Sequence, residues 1–250
     1  SGKLVFLDTE TRLKDFKKNK SIIFLSHQWL AWGVPDNVQG DQMSAMKKAV
    51  FAAQGIIPGQ RGRWENLYIW VDYCSIAQEH RGMQMLAVSS LPAYASSADI
   101  FVIVAPDAKH ESGEHCGMET YKARGWCRAE MLAKLCGSGL QNFYGVGSSG
   151  LEPVTEVQLK AMSPFVFEGE FSCCHFGHIN SQCDKESLVE PVLGLYSLAL
   201  QQMDQEGNQN ASTDPILQHI RESKTRFFPP TYVLKSAQDD VEEIAEEEHE

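Results

Sequence analysis

The segment Asp99-Ile-Phe-Val-Ile-Val-Ala105 decides the fold, because it is the strongest strand signal in the chain. It is apolar along nearly its whole length, which is typical of a strand buried on both faces of a parallel sheet. Pro106, which cannot donate a ladder hydrogen bond, ends the run. We therefore expect this segment to be a buried strand of a parallel sheet.

Three further runs of strand length flank this segment: Ser21–Ser26, Leu67–Val71 and Asn142–Val146. Helices are predicted between the runs. Asp41 is the expected N-cap of the first helix, residues 75–97 are largely helical with a break near Pro92, and a helix over 126–136 ends at Gly137. Alternating strands and helices predict an α/β protein with a parallel sheet covered by helices on both faces.

Ligands of such sheets bind outside the carboxyl ends of the strands. This rule selects the residues that follow the first three strands, namely His27-Gln28-Trp29, Asp72-Tyr73 and Pro106. The loop that enters the 126–136 helix opens onto the same edge. We therefore expect a ligand site where these polar and aromatic residues converge.

The 126–136 helix belongs to the stretch Tyr121-Lys-Ala-Arg-Gly-Trp-Cys-Arg-Ala-Glu-Met-Leu-Ala-Lys-Leu135 and carries one carboxylate, Glu130. Trp126 lies four residues before Glu130 and Lys134 four residues after it, so the three share one helical face. On spacing alone, Glu130 and Lys134 form an ordinary surface ion pair.

The net charge of −11 is concentrated at the end of the chain. Residues 239–250 contain eight acidic side chains and no Lys or Arg, and the other residues carry a net charge of −3. We interpret 239–250 as a disordered acidic tail. The nearly neutral remainder lacks the basic face of a nucleic-acid-binding protein, and no apolar run approaches the ~18 residues of a membrane helix.

The seven cysteines are irregularly spaced, and no pair has the CxxC spacing of many metal and redox sites. We therefore expect reduced thiols in a cytoplasmic protein. The sequence leaves open whether the chain is excised from a longer one. One compact group, Cys173, Cys174, His175, His178 and Cys183, has ligand types suited to zinc. Because zinc sites usually show two clean ligand pairs, buried thiols and structural histidines are the favoured interpretation, and no metal is predicted.

Three boxes together resemble TIR domains. Phe24-Leu-Ser-His-Gln-Trp29 is similar to their first-strand box, Leu91–Ala105 to their helix-then-strand segment, and Gly125-Trp-Cys-Arg-Ala-Glu-Met131 to their Trp-Cys-x-x-Glu-Leu box. The Ser-His-x-Trp start and Trp70–Gln78 also resemble the related HET domain. The resemblance covers roughly residues 21–146 and implies a flavodoxin-like, doubly wound parallel sheet with a C-terminal extension.

Many TIR domains hydrolyse or cyclise NAD with the Glu of this box, so the resemblance implies that Glu130 is catalytic and that NAD is a substrate, with no further cofactor. It implies ADP-ribose or a cyclic product, a role in signalling or defence, and self-association. The expected substrate-binding residues are Ser26, His27, Gln28, Trp29, Asp72, Tyr73, Arg124, Trp126 and Cys127. Arg61, Arg63 and Arg81 are additional candidates, with Arg124, for the pyrophosphate.

Plainer interpretations stay open for several of these residues. His27 is also explained as a strand-end histidine, Trp29 and Trp126 as core packing, Asp72 as a cap, and Cys127 as a buried apolar side chain. Two other functions remain as alternatives. One is a non-enzymatic TIR or HET scaffold that self-associates, and the other is a nucleoside deoxyribosyltransferase-like enzyme with Glu130 as nucleophile.

The expected organisation has four parts. Residues 1–20 lead into the domain, 21–203 form the TIR-like domain with its extension, 204–238 pack back on it, and 239–250 are the tail. Within the extension, Phe165–Phe167 is a strand candidate, and residues 187–203 have helical spacing with a capping box of Ser187 and Glu190.

Overall fold

The four predicted strands form one sheet in a computed structural model that describes residues 4–7, 9–57, 59, 63–77, 80–147, 150–175, 183–205, 218–219 and 222–227. The parallel strands are β1 (Ser21–His27), β2 (Leu67–Trp70), β3 (Ile100–Val104) and β6 (Phe143–Gly147). A fifth strand, β7 (Gly150–Pro153), runs antiparallel to β6. The protein is therefore of mixed α/β class with a mostly parallel sheet.

The sheet order is β2-β1-β3-β6-β7. The chain thus moves from β1 outward to β2 and then crosses to the other side of β1 to form β3. This reversal places a topological switch point between β1 and β3, where His27 pairs in register with Val104. Crevices form at the carboxyl ends of strands that flank such a point.

Helices cover both faces of the sheet. On one face, Ile23 and Leu25 pack with Val102 and Val104 against α2 (Asp41–Ile56). On the other face, Phe24, Phe101 and Ile103 pack with α5 (Leu91–Ser97) and α7 (Gly125–Ser138). Because side chains alternate along a strand, the wholly apolar runs of β1 and β3 supply both cores.

The remaining elements before α7 are short. They are α1 (Glu10–Lys17), a 3-10 turn (Trp64–Asn66), α3 (Asp72–Ser75), α4 (Arg81–Ser89), the hairpin of β4 (Ala108–Lys109) and β5 (His115–Cys116), and α6 (Met118–Ala123). Pro92 lies near the start of α5, which confirms the predicted break in the 75–97 region.

After the sheet, the extension adds α8 (Glu156–Met162), a 3-10 turn (Val166–Glu168), α9 (Ser172–His175), α10 (Asp184–Gln205) and a last short helix (Lys224–Phe227). Leu188, Val192 and Leu195 of α10 belong to the same core as α7. The polar stretch before the last helix is mostly outside the described residues, as is the acidic tail at 239–250. No helix in the described part of the chain is long and apolar enough to cross a bilayer.

Two predictions about helix ends were wrong. Asp41 is the first residue of α2, and the N-cap is Gly40, whose φ of 74° lies in the left-handed region. The carboxylate of Asp36 caps the helix instead, accepting from the backbone N–H groups of Gln42 and Met43 at 2.8 Å each. The second prediction concerned the C-terminal end of α7. This helix continues through Gly137 to Ser138 and stops at Gly139.

Three predictions about other segments also need correction. Leu67–Trp70 is a half-exposed edge strand and not a buried one, with Ile69 48% exposed. The strand candidate Phe165–Phe167 overlaps the 3-10 turn instead. The α10 helix begins at Asp184, before the expected capping box of Ser187 and Glu190.

Candidate functional site

A buried hydrogen-bonded group joins the end of β1 to the α6 and α7 helices. The hydroxyl of Ser26 donates to Glu130 Oε2 at 2.5 Å and lies 2.5 Å from the hydroxyl of Tyr121. Ser26 and Tyr121 are fully buried, and Glu130 is 8% exposed. Residues 104 positions apart in sequence are thereby fixed together at the carboxyl edge of the sheet.

Burial dominates the electrostatics of Glu130. It raises the pKa of this carboxyl well above the ordinary value, and the nearby negative charge of Asp72 raises it further. The hydrogen bond donated by Ser26 acts in the opposite direction and lowers the pKa. Burial also raises the pKa of the Tyr121 hydroxyl. Burial at this position therefore favours the neutral form of the carboxyl over the ionised form.

His27, the last residue of β1, is buried beside Asp72. Its Nε2 atom lies 3.5 Å from Asp72 Oδ1 and has no hydrogen-bond partner in the described part of the chain. Burial lowers the pKa of the imidazole, whereas the charge of Asp72 raises it. A buried ring nitrogen without a partner is uncommon in native proteins and calls for an explanation, such as a catalytic role or a bound water or ion.

Asp72 connects His27 to the aromatic residues of this edge. Its Oδ2 atom accepts a hydrogen bond from Trp29 Nε1 at 2.7 Å, and the ring of Tyr73 meets Trp29 edge-on at 5.7 Å. Asp72 is also the first residue of α3. The structure therefore brings together Ser26, His27, Trp29, Asp72, Tyr73 and Glu130, all of which were predicted to lie at this site.

Other predicted residues have structural contacts of their own. Gln28 Nε2 donates to the Gly117 carbonyl at 3.1 Å. The Cys127 thiol donates to the His27 carbonyl at 3.6 Å, and burial raises the pKa of this thiol. A buried thiol of this kind favours the packing interpretation of Cys127 over a nucleophile.

Arg124 and Trp126 point toward the C-terminal extension. Arg124 donates to the Ser172 hydroxyl at 3.1 Å, and Trp126 Nε1 donates to Asp184 Oδ2 at 2.8 Å. The positive charge of Arg124 nevertheless contributes to lowering the pKa of His27, so the guanidinium lies within electrostatic reach of the site.

Among the other arginine candidates, Arg63 precedes the 3-10 turn before β2. Arg61 and the side chain of Arg81 lie outside the described residues.

The expected surface ion pair of Glu130 with Lys134 is wrong. Lys134 is 1% exposed, and its ammonium donates to the Ser138 hydroxyl at 2.6 Å. Burial is the main cause that lowers its pKa to about 8. The helical spacing was correct, but α7 lies between the sheet and α10, so both charged residues are inside the protein.

Sequence reasoning missed Tyr121 and Gln42. Tyr121 completes the hydrogen bonds of Ser26. Gln42 is buried in α2, donates from Nε2 to the Val104 carbonyl at 3.1 Å, and leaves Oε1 without a partner in the described chain. The signal available for Gln42 was a polar residue near the start of a predicted helix with an apolar face. Tyr121 had no signal beyond its place before the Trp-Cys box.

The sulfur atoms of Cys173, Cys174 and Cys183 lie within 4.8 Å of one another. His175 is not part of this group and instead stacks on Trp32 at 6.4 Å, while His178 lies outside the described residues. Among the described residues, the three cysteines are therefore gathered as the spacing allowed, without His175.

The site thus combines one buried carboxyl, one buried imidazole whose Nε2 has no partner among the described residues, and an aromatic pair near a strand switch point. Such a group can bind a polar ligand and stabilise a positive charge that approaches Glu130. Comparisons of the chain with protein-family models, with curated proteins and with solved structures returned no match.

Proposed function

We propose that this protein cleaves the bond between nicotinamide and ribose in NAD, with Glu130 as the catalytic carboxylate, as its resemblance to TIR domains implies. The observation that carries the proposal is the 2.5 Å hydrogen bond between Ser26 and Glu130. It holds a single buried carboxyl at the carboxyl end of β1, beside the switch point where ligands of α/β sheets bind.

The sheet order is compatible with the proposed family. The four parallel strands lie in the order β2-β1-β3-β6, which corresponds to the 2-1-3-4 start of the flavodoxin-like arrangement. A TIR-like assignment requires this order. The antiparallel β7 at the edge is an addition to it.

The chemistry suits a single carboxylate. Nicotinamide in NAD is already cationic, so it leaves as a neutral molecule and needs no general acid, unlike the leaving groups of ordinary glycosidases. The departing ring develops positive charge on the ribose, which a fixed negative charge stabilises. NAD and water then give ADP-ribose, nicotinamide and a proton; attack by an adenine nitrogen in place of water gives a cyclic product.

The raised pKa of Glu130 fits this scheme through substrate binding. Burial favours the neutral acid, whereas a cationic nicotinamide ring beside the carboxyl would lower its pKa and favour the negative form that the scheme needs.

Neighbouring groups have roles that match the rest of NAD. The His27 Nε2 atom, which has no hydrogen-bond partner among the described residues, can accept a hydrogen bond from a ribose hydroxyl. The Trp29 and Tyr73 rings offer a stacking surface, and the Arg124 charge suits the pyrophosphate. The resemblance further implies that the chain acts in self-assembled form.

One observation favours a second candidate, a non-enzymatic scaffold. Glu130 is only 8% exposed, and its hydrogen bond to Ser26 is also a sufficient structural role. The two candidates differ in whether substrate reaches the carboxyl.

Incubation of the purified protein with NAD, followed by chromatography of the products, separates these functions. Nicotinamide together with ADP-ribose or a cyclic product supports the proposal. No turnover across a wide range of protein concentrations supports the scaffold. Exchange of the base on a deoxynucleoside, without cleavage of NAD, supports the transferase-like alternative. The concentration series also reports whether activity depends on self-association.

A further inference from the structure

We propose that Cys173, Cys174 and Cys183 bind a single zinc ion as thiolates. The Sγ atom of Cys173 lies 4.0 Å from that of Cys174 and 4.0 Å from that of Cys183, and the Sγ atoms of Cys174 and Cys183 are 3.5 Å apart. All seven cysteines of the chain are free of disulfides, so these three sulfurs are available as ligands.

The size of this sulfur triangle is the size that zinc requires. Tetrahedral zinc with Zn–S bonds of about 2.3 Å separates its sulfur ligands by about 3.8 Å. The three observed separations fall on either side of that value. The spacing therefore matches three corners of a zinc tetrahedron, and one further ligand would complete the fourth.

Other thiol chemistry fits the triangle less well. A disulfide brings two sulfurs to about 2.0 Å and leaves a third sulfur without a function. An iron–sulfur cluster distributes its cysteines over two or more iron atoms, so three cysteine sulfurs on a cluster do not all lie as close together as they do on one ion. A single ion that prefers sulfur accounts for all three residues at once.

The surroundings supply the outer contacts that thiolate sites need. The backbone N–H of Asp184 donates to Cys173 Sγ at 3.3 Å, which stabilises negative charge on that sulfur. The same Asp184 accepts from Trp126 Nε1 through its carboxylate. The cluster is therefore linked by direct hydrogen bonds to the first turn of α7.

These contacts assign the ion a structural role. Cys173 and Cys174 lie in α9, and Cys183 directly precedes α10, so one ion fastens two separate elements of the extension together. Ser172, next to Cys173, accepts from Arg124. The ion thereby holds the extension against the residues that lead to Glu130. This assignment does not depend on the reaction proposed for Glu130.

Elemental analysis of the protein purified without chelators tests the proposal. We expect about one zinc per chain in the wild type and in Cys74→Ser, whose exposed thiol lies elsewhere and serves as the matched control. Cys173→Ser and Cys183→Ser should each lose most of this zinc. Equal zinc content in the wild type and in the triple serine variant of the cluster would overturn the proposal, as would copper in place of zinc.

A second measurement on the wild type keeps the test independent of variant folding. Cobalt(II) added to metal-stripped protein should produce a thiolate-to-cobalt charge-transfer band, which zinc then abolishes. Absence of that band, or a Cys174–Cys183 disulfide found by mass spectrometry of the purified protein, would contradict the assignment. Both measurements are made without NAD, so failure of the catalytic proposal leaves them unaffected.

Discussion

Replacing Glu130 by glutamine should stabilise the protein increasingly as the pH rises. The folded-state pKa of Glu130 is raised above the ordinary value of 4.5. At pH values between the ordinary pKa of 4.5 and the raised pKa of the folded state, the unfolded chain has lost the proton while the folded chain keeps it. The stability of the wild type therefore falls as the pH increases. Glutamine has the same shape, carries no charge and takes no part in this linkage.

The slope of this stability difference with pH follows from the number of protons that separate the folded and unfolded states. One proton separates the two states, so the wild type loses about 1.4 kcal/mol of stability per pH unit relative to Glu130→Gln within this window. Below pH 4.5 both side chains are neutral and the difference between the two proteins is constant. Because Glu130 is 8% exposed, solvent screening reduces the pKa shift, and so the width of this pH window, only little.

Urea unfolding at a series of pH values measures the difference directly. Glu119→Gln, at a side chain that is 82% exposed, is the surface control. A difference between Glu130→Gln and the wild type that does not change with pH would refute the reasoning. So would a glutamine variant that becomes progressively less stable than the wild type above pH 4.5.

Four further substitutions test other parts of the structure. Lys134→Met should be more stable than the wild type at neutral pH by up to about 3 kcal/mol, because burial lowers the pKa of the Lys134 ammonium from 10.5 to about 8. In thermal unfolding, this difference in stability should shrink as the pH rises from 8 toward 10.5. Gly137→Ala should lower the free energy of unfolding by about 1–3 kcal/mol, since a Cβ there would lie 2.7 Å from the backbone of α5. Gly55→Ala, which has open space around it, should raise this free energy by about 0.5–1 kcal/mol in the same assay. Asp72→Asn removes the charge that raises the Glu130 pKa, so the rise of nicotinamide release with pH should move to lower pH, and an unshifted profile would separate Asp72 from the site.

The sheet was predictable because its inner strands are buried on both faces. Ile100–Val104 and Ser21–His27 are apolar over nearly their whole length, and this composition does not depend on details of tertiary structure. The edge strand Gly150–Pro153 has no such signal, because it contains glutamate and proline and is partly exposed.

The contacts of the site were less predictable than its location. The strand-end rule placed His27 and the loop before Glu130 at one edge, and the resemblance to TIR domains added Ser26. The hydrogen bond between Ser26 and Glu130, across 104 residues, depends on the packing of α7. Lys134 was assigned to the surface because a charged residue at helical spacing usually lies there, and packing by the extension reversed this. The N-terminal cap of α2 was missed because the capping carboxylate, Asp36, lies in the preceding loop.

The rate of nicotinamide release from NAD by the wild type and by Glu130→Gln tests the central claim most directly, with Glu119→Gln measured beside them. Removing the negative charge while keeping the hydrogen-bonding shape should reduce the rate by about 10²–10³-fold, and the control should match the wild type. Equal rates for Glu130→Gln and the wild type would contradict a catalytic role for Glu130.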